Sequence, residues 1–411
     1  LVFSNKRDFC EEFLQEEIQN IMKKNYFKLI IAAFIIGSVS LGIQSCSTDE
    51  ETINSIIPTG IAQDPNNFKG EVTNGEVVTL DPTKVYVMNG SVKVKNGGKL
   101  VIPAGIRIVA TAGADSYILV EQGGQIFANG TAGSPVMLMS ATAAPGNWGG
   151  LIICGKAPIN TGASGTSEIG NSPYGGTDAV DNSGILNYVK IENAGAPFGT
   201  DKKFNGLSLF GVGSGTRVEN VALFNTADDG IEIYGGTVAV ANIVSIGNTN
   251  NAFSFKDGWV GTASNIFTKR RTDGTGNNGI KGINNATNPD ASPRSNPTIK
   301  NATIIGGNDT GETNAVRLSS GAQATVENFV ISSWKTGFNL ESDATVTYFN
   351  GQSKIKDILF NANVTTKASA TSSAGTAVTI VANTYTDKTD ANGAGNGENT
   401  PTWAIGWSGL Q

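Results

Sequence analysis

Three acidic side chains, Asp228, Asp229 and Glu232, lie within five residues of one another. Such a cluster admits three readings. It could gather the oxygen ligands a hard cation such as Ca2+ needs. It could supply a glycosidase pair, two carboxylates facing one groove. Or Asp229 could hold a turn where equivalent segments carry Asn or Thr, which is the reading we favour. A calcium-dependent polysaccharide lyase would also need a basic group beside the groove, and Lys269-Arg270-Arg271 is the candidate run. Its plainer reading is a solvated loop. Trp148 and Trp259 each flank glycine, and would stack on sugars if exposed or fill the core if not. The chain has no His. That excludes Ser-His-Asp and Cys-His triads, His-ligated zinc and a His general base. A net charge of −6 has the wrong sign for a nucleic-acid partner.

The elements that must position these residues repeat along the chain. One unit is Asn or Asp, a small residue, then apolar-x-apolar. It occurs at Asn205-Gly206-Leu207-Ser208-Leu209, Asp229-Gly230-Ile231-Glu232-Ile233 and Asn251-Ala252-Phe253-Ser254-Phe255. It returns weakly at Asn278-Gly279-Ile280, then at Asn314-Ala315-Val316-Arg317-Leu318 and Thr336-Gly337-Phe338-Asn339-Leu340. A second unit sets Asn between aliphatics, as in Val218-Glu219-Asn220-Val221, Val240-Ala241-Asn242-Ile243 and Val326-Glu327-Asn328-Phe329. Each apolar-x-apolar stretch predicts a short strand with alternating faces. The 52 glycines, with Asn and Asp, supply turns that need positive φ. Two motifs sharing a period near 22 predict a parallel β-solenoid, all-β and right-handed by the usual crossover rule. We expect eleven or twelve coils over 75–385, an Asn ladder between coils, and a C-terminal cap over 386–411 bearing Trp403 and Trp407. Long loops are expected near 160–184 and 269–297. The central residues of the first unit, Ser208, Glu232, Ser254, Lys281, Arg317 and Asn339, should form one outward row about 4.8 Å apart per coil. In the second unit Lys300, Glu327 and Lys356 should alternate in sign.

Ahead of the solenoid, Lys23 and Lys24 precede an apolar run from about Leu29 to Ile43, then Gln44-Ser45-Cys46. This pattern resembles a bacterial lipoprotein signal, in which the Cys is acylated and becomes the new N-terminus. Gln44 is bulkier than is usual there. On this reading 1–21 is upstream sequence, 22–45 the signal and 46–74 an acidic, polar linker, with Cys46 lipidated. Ser47-Thr48-Asp49-Glu50-Glu51 resembles a surface-export signal. Cys154 would then have no disulfide partner.

From Cys46 onward the chain resembles a group of Bacteroidetes surface lipoproteins built as right-handed β-helices of the pectate-lyase-like type. The residues that carry the resemblance are Pro145-Gly146-Asn147-Trp148-Gly149-Gly150-Leu151, the run from Asn225 to Val238, and Trp403-Ala404-Ile405-Gly406-Trp407. The resemblance implies a fold and an outer-membrane, cell-surface location, and no settled activity. The label "multidrug transporter", often given to such proteins, finds no support, because after the leader no run is apolar enough for a spanning helix. Relatives tend to be acidic at the turn after Asp229, where this chain has Asn250-Asn251. The Gly-His-Gly and Arg-Ile-Lys elements of pectin-type hydrolases are missing.

The expected function is therefore binding without catalysis. A lipid-anchored surface protein would hold a glycan, a nutrient or an outer-membrane protein partner along the solenoid face, with no resident cofactor and no nucleic acid. Calcium-dependent polysaccharide lyase activity and a purely structural or adhesive role are the alternatives.

Overall fold

Positive-φ turns and alternating strands dictate a coil, and the computed structural model shows that coil repeated. It describes residues 59–307, 314–361 and 363–411. The leader, Cys46 and the acidic stretch behind it lie outside the described residues.

Two long parallel sheets run through the described residues. The first sheet stacks eleven parallel strands, from Gly70–Val72 to Thr366–Thr371, and ends in a short antiparallel strand, Ala377–Val378. The second sheet begins with two strands per coil, such as Gln125–Asn129 and Val136–Ser140. Both pair with the single bent strand Gly184–Glu192. From there each coil contributes one bent strand, through Ile355–Phe360 to Tyr385–Asp387. The alternation buries a column of Val, Ile, Leu and Phe between the sheets. The solenoid is a parallel β-helix of eleven coils among the described residues, as expected.

The bend explains the second repeat unit. Asn220, Asn242, Asn265, Asn301 and Asn328 all sit there with φ of 53–59°. Asn tolerates this left-handed conformation far better than a β-branched residue. Their amides form the expected ladder: Asn220 Nδ2 donates to Asn187 Oδ1 (2.8 Å), Asn242 to Asn220 (2.9 Å), Asn265 to Asn242 (2.8 Å), Asn301 to Asn265 (3.1 Å) and Asn328 to Asn301 (2.9 Å). Beside it Lys300 and Glu327 pair across coils at 2.7 Å.

Three boundaries differ from expectation. The linker does not reach residue 74: Gly60–Ala62 and Pro65–Asn67 form 3-10 turns, and Gly70–Val72 is already a strand. The open end of a solenoid exposes its core, and Ala62 and Phe68 cover it, Phe68 lying 5.2 Å from Tyr86. The 269–297 loop is two loops around a strand, Ile280–Ile283. The tail beyond Asp387 does not sit over the core column; it packs along the outside of the second sheet. There Trp407 joins Ala222, Val244 and Phe267 and meets Tyr188 edge-on at 5.4 Å. Those outward residues are apolar, so they need cover as the core does.

Candidate functional site

The first unit places one residue per coil on the outer face of the first sheet. The register runs Ile152, Ser208, Glu232, Ser254, Lys281, Arg317, Asn339, Ser369. A second outward row, two residues on, runs Cys154, Phe210, Tyr234, Lys256. The row was predicted to line an exposed face. Its first half does not: Ser208 and Ser254 are buried. The 155–183 loop carries Ile159, Ile169 and Tyr174 onto this part of the sheet, and Phe204 follows a small hairpin, Pro197–Gly199 with Lys202–Lys203. Tyr174 packs on Phe210 at 5.0 Å and Phe198 on Phe204 at 4.8 Å. Lys202 joins the hairpin to Glu168 of the loop at 3.0 Å. Asn160, buried, donates to Asn284 Oδ1 (2.7 Å) and to the Pro293 carbonyl (3.0 Å), tying the 155–183 loop to the loop after Ile283. Cys154 lies under this cover as a free thiol, and burial pushes its pKa up to about 12, so it is an inert side chain at neutral pH.

The acidic cluster lies at the edge of this cover. Its side chains are engaged one by one. Glu232 Oε1 accepts from Lys256 Nζ at 2.9 Å. Its Oε2 accepts from Asn205 Nδ2 at 2.9 Å and from the Tyr234 hydroxyl at 2.5 Å. Burial alone would raise the Glu232 pKa, but the Lys256 ammonium and these donors outweigh it and hold the carboxylate below its ordinary value. The same pairing lifts Lys256 above its ordinary value despite burial. Lys256 also sits 4.3 Å from the Tyr234 ring centroid, and Tyr234 stacks on Phe210 at 3.9 Å. Asp228 Oδ1 accepts from Asn250 Nδ2 at 2.6 Å. Asp229 Oδ1 accepts from both the backbone and side-chain nitrogens of Asn251, each at 2.9 Å.

This arrangement argues against the calcium and acid-pair readings. Among the described residues no three acidic or cysteine side chains come together as a cation cage. Glu232 is spent on an ammonium, which repels a metal, and Asp228 and Asp229 are spent on amides of the next coil. The residues do not fit Ca2+, so no step through it is derived. The lyase base fails as well. Lys269 ends a strand of the second sheet, Thr262–Lys269, whereas the acid-bearing row lies on the first. Arg270 is buried, donates to the Gly276 carbonyl at 2.9 and 2.6 Å, and lies 5.8 Å from the Trp334 ring. Arg271 holds Asp273 (Nε at 2.8 Å) and the Gly247 carbonyl (3.2 Å). Both arginines brace the loop after Lys269 and form no part of the ligand face. Nor do the tryptophans. Trp148 and Trp259 are fully buried, donating to the carbonyls of Glu192 (2.8 Å) and Val238 (3.0 Å).

What remains open is the later half of the row. Lys281, Arg317, Asn339 and Ser369 are half-exposed on successive coils. Arg317 forms a bidentate pair with Glu341 (3.1 and 2.7 Å), and Asn339 bonds both Glu341 (2.8 Å) and Ser369 (3.2 Å). Tyr234, Lys256 and Asn205, which hold Glu232, were not singled out from sequence. The second outward row follows from the same repeat register, and reading it would have found Tyr234 and Lys256.

No helix among the described residues is long and apolar enough to cross a membrane. Neither curated proteins nor solved structures include a match to the chain. The family described as "Pectate-lyase like beta helix domain" matches residues 70–408, the stretch over which the two parallel sheets and their packed tail extend. The chain belongs to the pectate-lyase-like β-helix family.

Proposed function

We propose that this β-helix binds an extended glycan without cleaving it, on a chain held at a bacterial cell surface by lipid on Cys46. The observation that supports binding is the open half of the outward row. It sets polar groups of Lys281, Arg317, Asn339 and Ser369 in line, one per coil at about 4.8 Å. That spacing is close to the length of a sugar residue, so a linear polymer lying along the axis would meet one polar side chain at each step. Against catalysis stands the engagement of every acid in the cluster. A glycan array run with detection of unsaturated uronates tests both points. Glycan retention that weakens in a Lys281→Ala, Arg317→Ala double variant, with no uronate released, is the expected result. Uronate release would establish a lyase instead, and no retention of any glycan would overturn the binding proposal. The tether has its own test: Cys46→Ala should move the protein from the membrane fraction to the soluble one.

A further inference from the structure

A second amide ladder runs along the turn leading into the first sheet, and one of its rungs is an acid. Its members are Asn205, Asp229, Asn251, Asn278 and Asn314 on successive coils. At Asn251 and Asn278 the same two bonds recur, and Asn314 repeats the side-chain one. Asn278 sends its backbone N–H (3.1 Å) and its Nδ2 (2.8 Å) to Asn251 Oδ1. Asn251 sends the same pair to Asp229 Oδ1, at 2.9 Å each. Asn314 Nδ2 reaches Asn278 Oδ1 at 3.3 Å. At the step from Asp229 to Asn205 the backbone bond is present at 3.3 Å. The second bond needs a side-chain donor, and an ionised carboxylate has none. In aspartate the atom that corresponds to Nδ2 of the other rungs is an oxygen, which can make that bond to the Asn205 carbonyl oxygen only if it carries a proton.

We propose that the Asp229 carboxyl carries a proton in the folded protein and donates it along the ladder to Asn205 Oδ1, so that this rung locks the turn at 225–230 in a pH-dependent way. The surroundings favour the neutral form. Asp229 is almost fully buried. From its own coil Asp228 and Glu232 face it with like charge. From the next coil come Ser254, whose hydroxyl faces the same carboxyl and favours the anion, and Lys256, whose ammonium is committed to Glu232. Lys203, ahead of Asn205, bears on Asp228. Burial first, then Glu232 and Asp228, push the Asp229 pKa up to about 7. Two acids three residues apart are thus driven in opposite directions, Glu232 toward the charged form and Asp229 toward the neutral one. When the proton leaves to solvent, an anion faces the Asn205 carbonyl oxygen and the rung loses a bond. Asn205 also holds Ser208 (3.2 Å) and Glu232, so the lock reaches the floor beneath the 197–203 hairpin.

The sign follows from linkage. An unfolded aspartate titrates near about 4, so the folded state binds the extra proton between about 4 and about 7. Stability falls as pH rises through that window and levels off above it. The test is difference infrared spectroscopy with hydrogen exchange on the whole chain, at about pH 5.5 and about pH 8.5, either side of the folded value. The expected result is a protonated-carboxyl stretch at the lower pH that fades at the higher one. It should weaken in Asp229→Asn, leaving the part due to Asp257, whose carboxyl is pushed by burial up to about 6, and should not weaken in the same way in Asp228→Asn. Exchange at the Asp229 and Asn251 amides should quicken with pH, beyond the intrinsic rate, in the wild type and not in Asp229→Asn, which keeps the ladder isosteric. Absence of the stretch at the lower pH, or its survival undiminished in Asp229→Asn, would overturn the proposal.

Discussion

The two amide ladders run the same solenoid side by side and differ by one atom type at one rung. The bend ladder is amide throughout from Asn187 to Asn328. The turn ladder contains Asp229. An amide is donor and acceptor at every pH, so a ladder of amides is indifferent to protons. A carboxyl can imitate an amide only while it keeps its proton, so the same geometry becomes conditional. The bend ladder is also closed by the tail: Asn328 Oδ1 accepts from the backbone nitrogens of Asn392 (3.0 Å) and Gly393 (3.3 Å).

The largest way to break this contrast is to end the chain after Asp387. That strips Trp407 from Ala222, Val244 and Phe267 and uncaps Asn328. Burial of the Trp407 side chain alone contributes about 3 kcal/mol, so Tm should fall by many degrees. Hydrogen exchange should speed up along the bend ladder more than along the turn ladder. Equal loss in both would show that the tail is general ballast rather than a closure for one ladder.

Next in size is Asn242→Ala. It leaves the Asn265 amide without its acceptor and forces alanine to a φ of 55°. An unsatisfied partner costs about 1–3 kcal/mol and the left-handed backbone about 1–2, so denaturant unfolding should show a loss of about 2–5 kcal/mol that does not vary with pH. Gly at the same position separates the two causes, because it removes only the bonds.

Smaller at low pH and growing with pH is the effect of Asp229→Asn. At or below about pH 4, where the unfolded aspartate keeps its proton too, the variant and the wild type should melt alike. Near pH 8, above the value of about 7, the variant should melt higher, since its rung has no proton to lose. Parallel Tm curves across that range would remove the difference between the ladders.

The smallest effect belongs to Lys300→Ala, beside the bend ladder. Lys300 and Glu327 are 47% and 40% exposed, and such pairs contribute about 0–1 kcal/mol. A loss much larger than that would mean the charge row, rather than the amides, holds the coils in register.

Much of this fold is readable from the chain. Val218-Glu219-Asn220-Val221 and its copies announce both the strand alternation and the residue at the bend, because only a few side chains accept that φ. The partner of each central residue is fixed in the same way: once Ser208, Glu232 and Ser254 are aligned by the repeat, stacking places them in one row. Their exposure is not readable. Ser208 is buried by Phe204 and the 155–183 loop, which belong to no repeat and reach the sheet by their own path. Arg270 reads as a surface cation until the loop after Lys269 folds its carbonyls around the guanidinium.

By itself the sequence determined the coil, its period, its register and both ladders, because each depends on contacts between a residue and its copy about one coil away. Tertiary structure alone decided which parts of the outer faces are covered, where the tail docks and which partner each acid takes. Those outcomes depend on segments that occur once, whose positions follow from closing apolar surface and satisfying buried polar groups across the whole molecule.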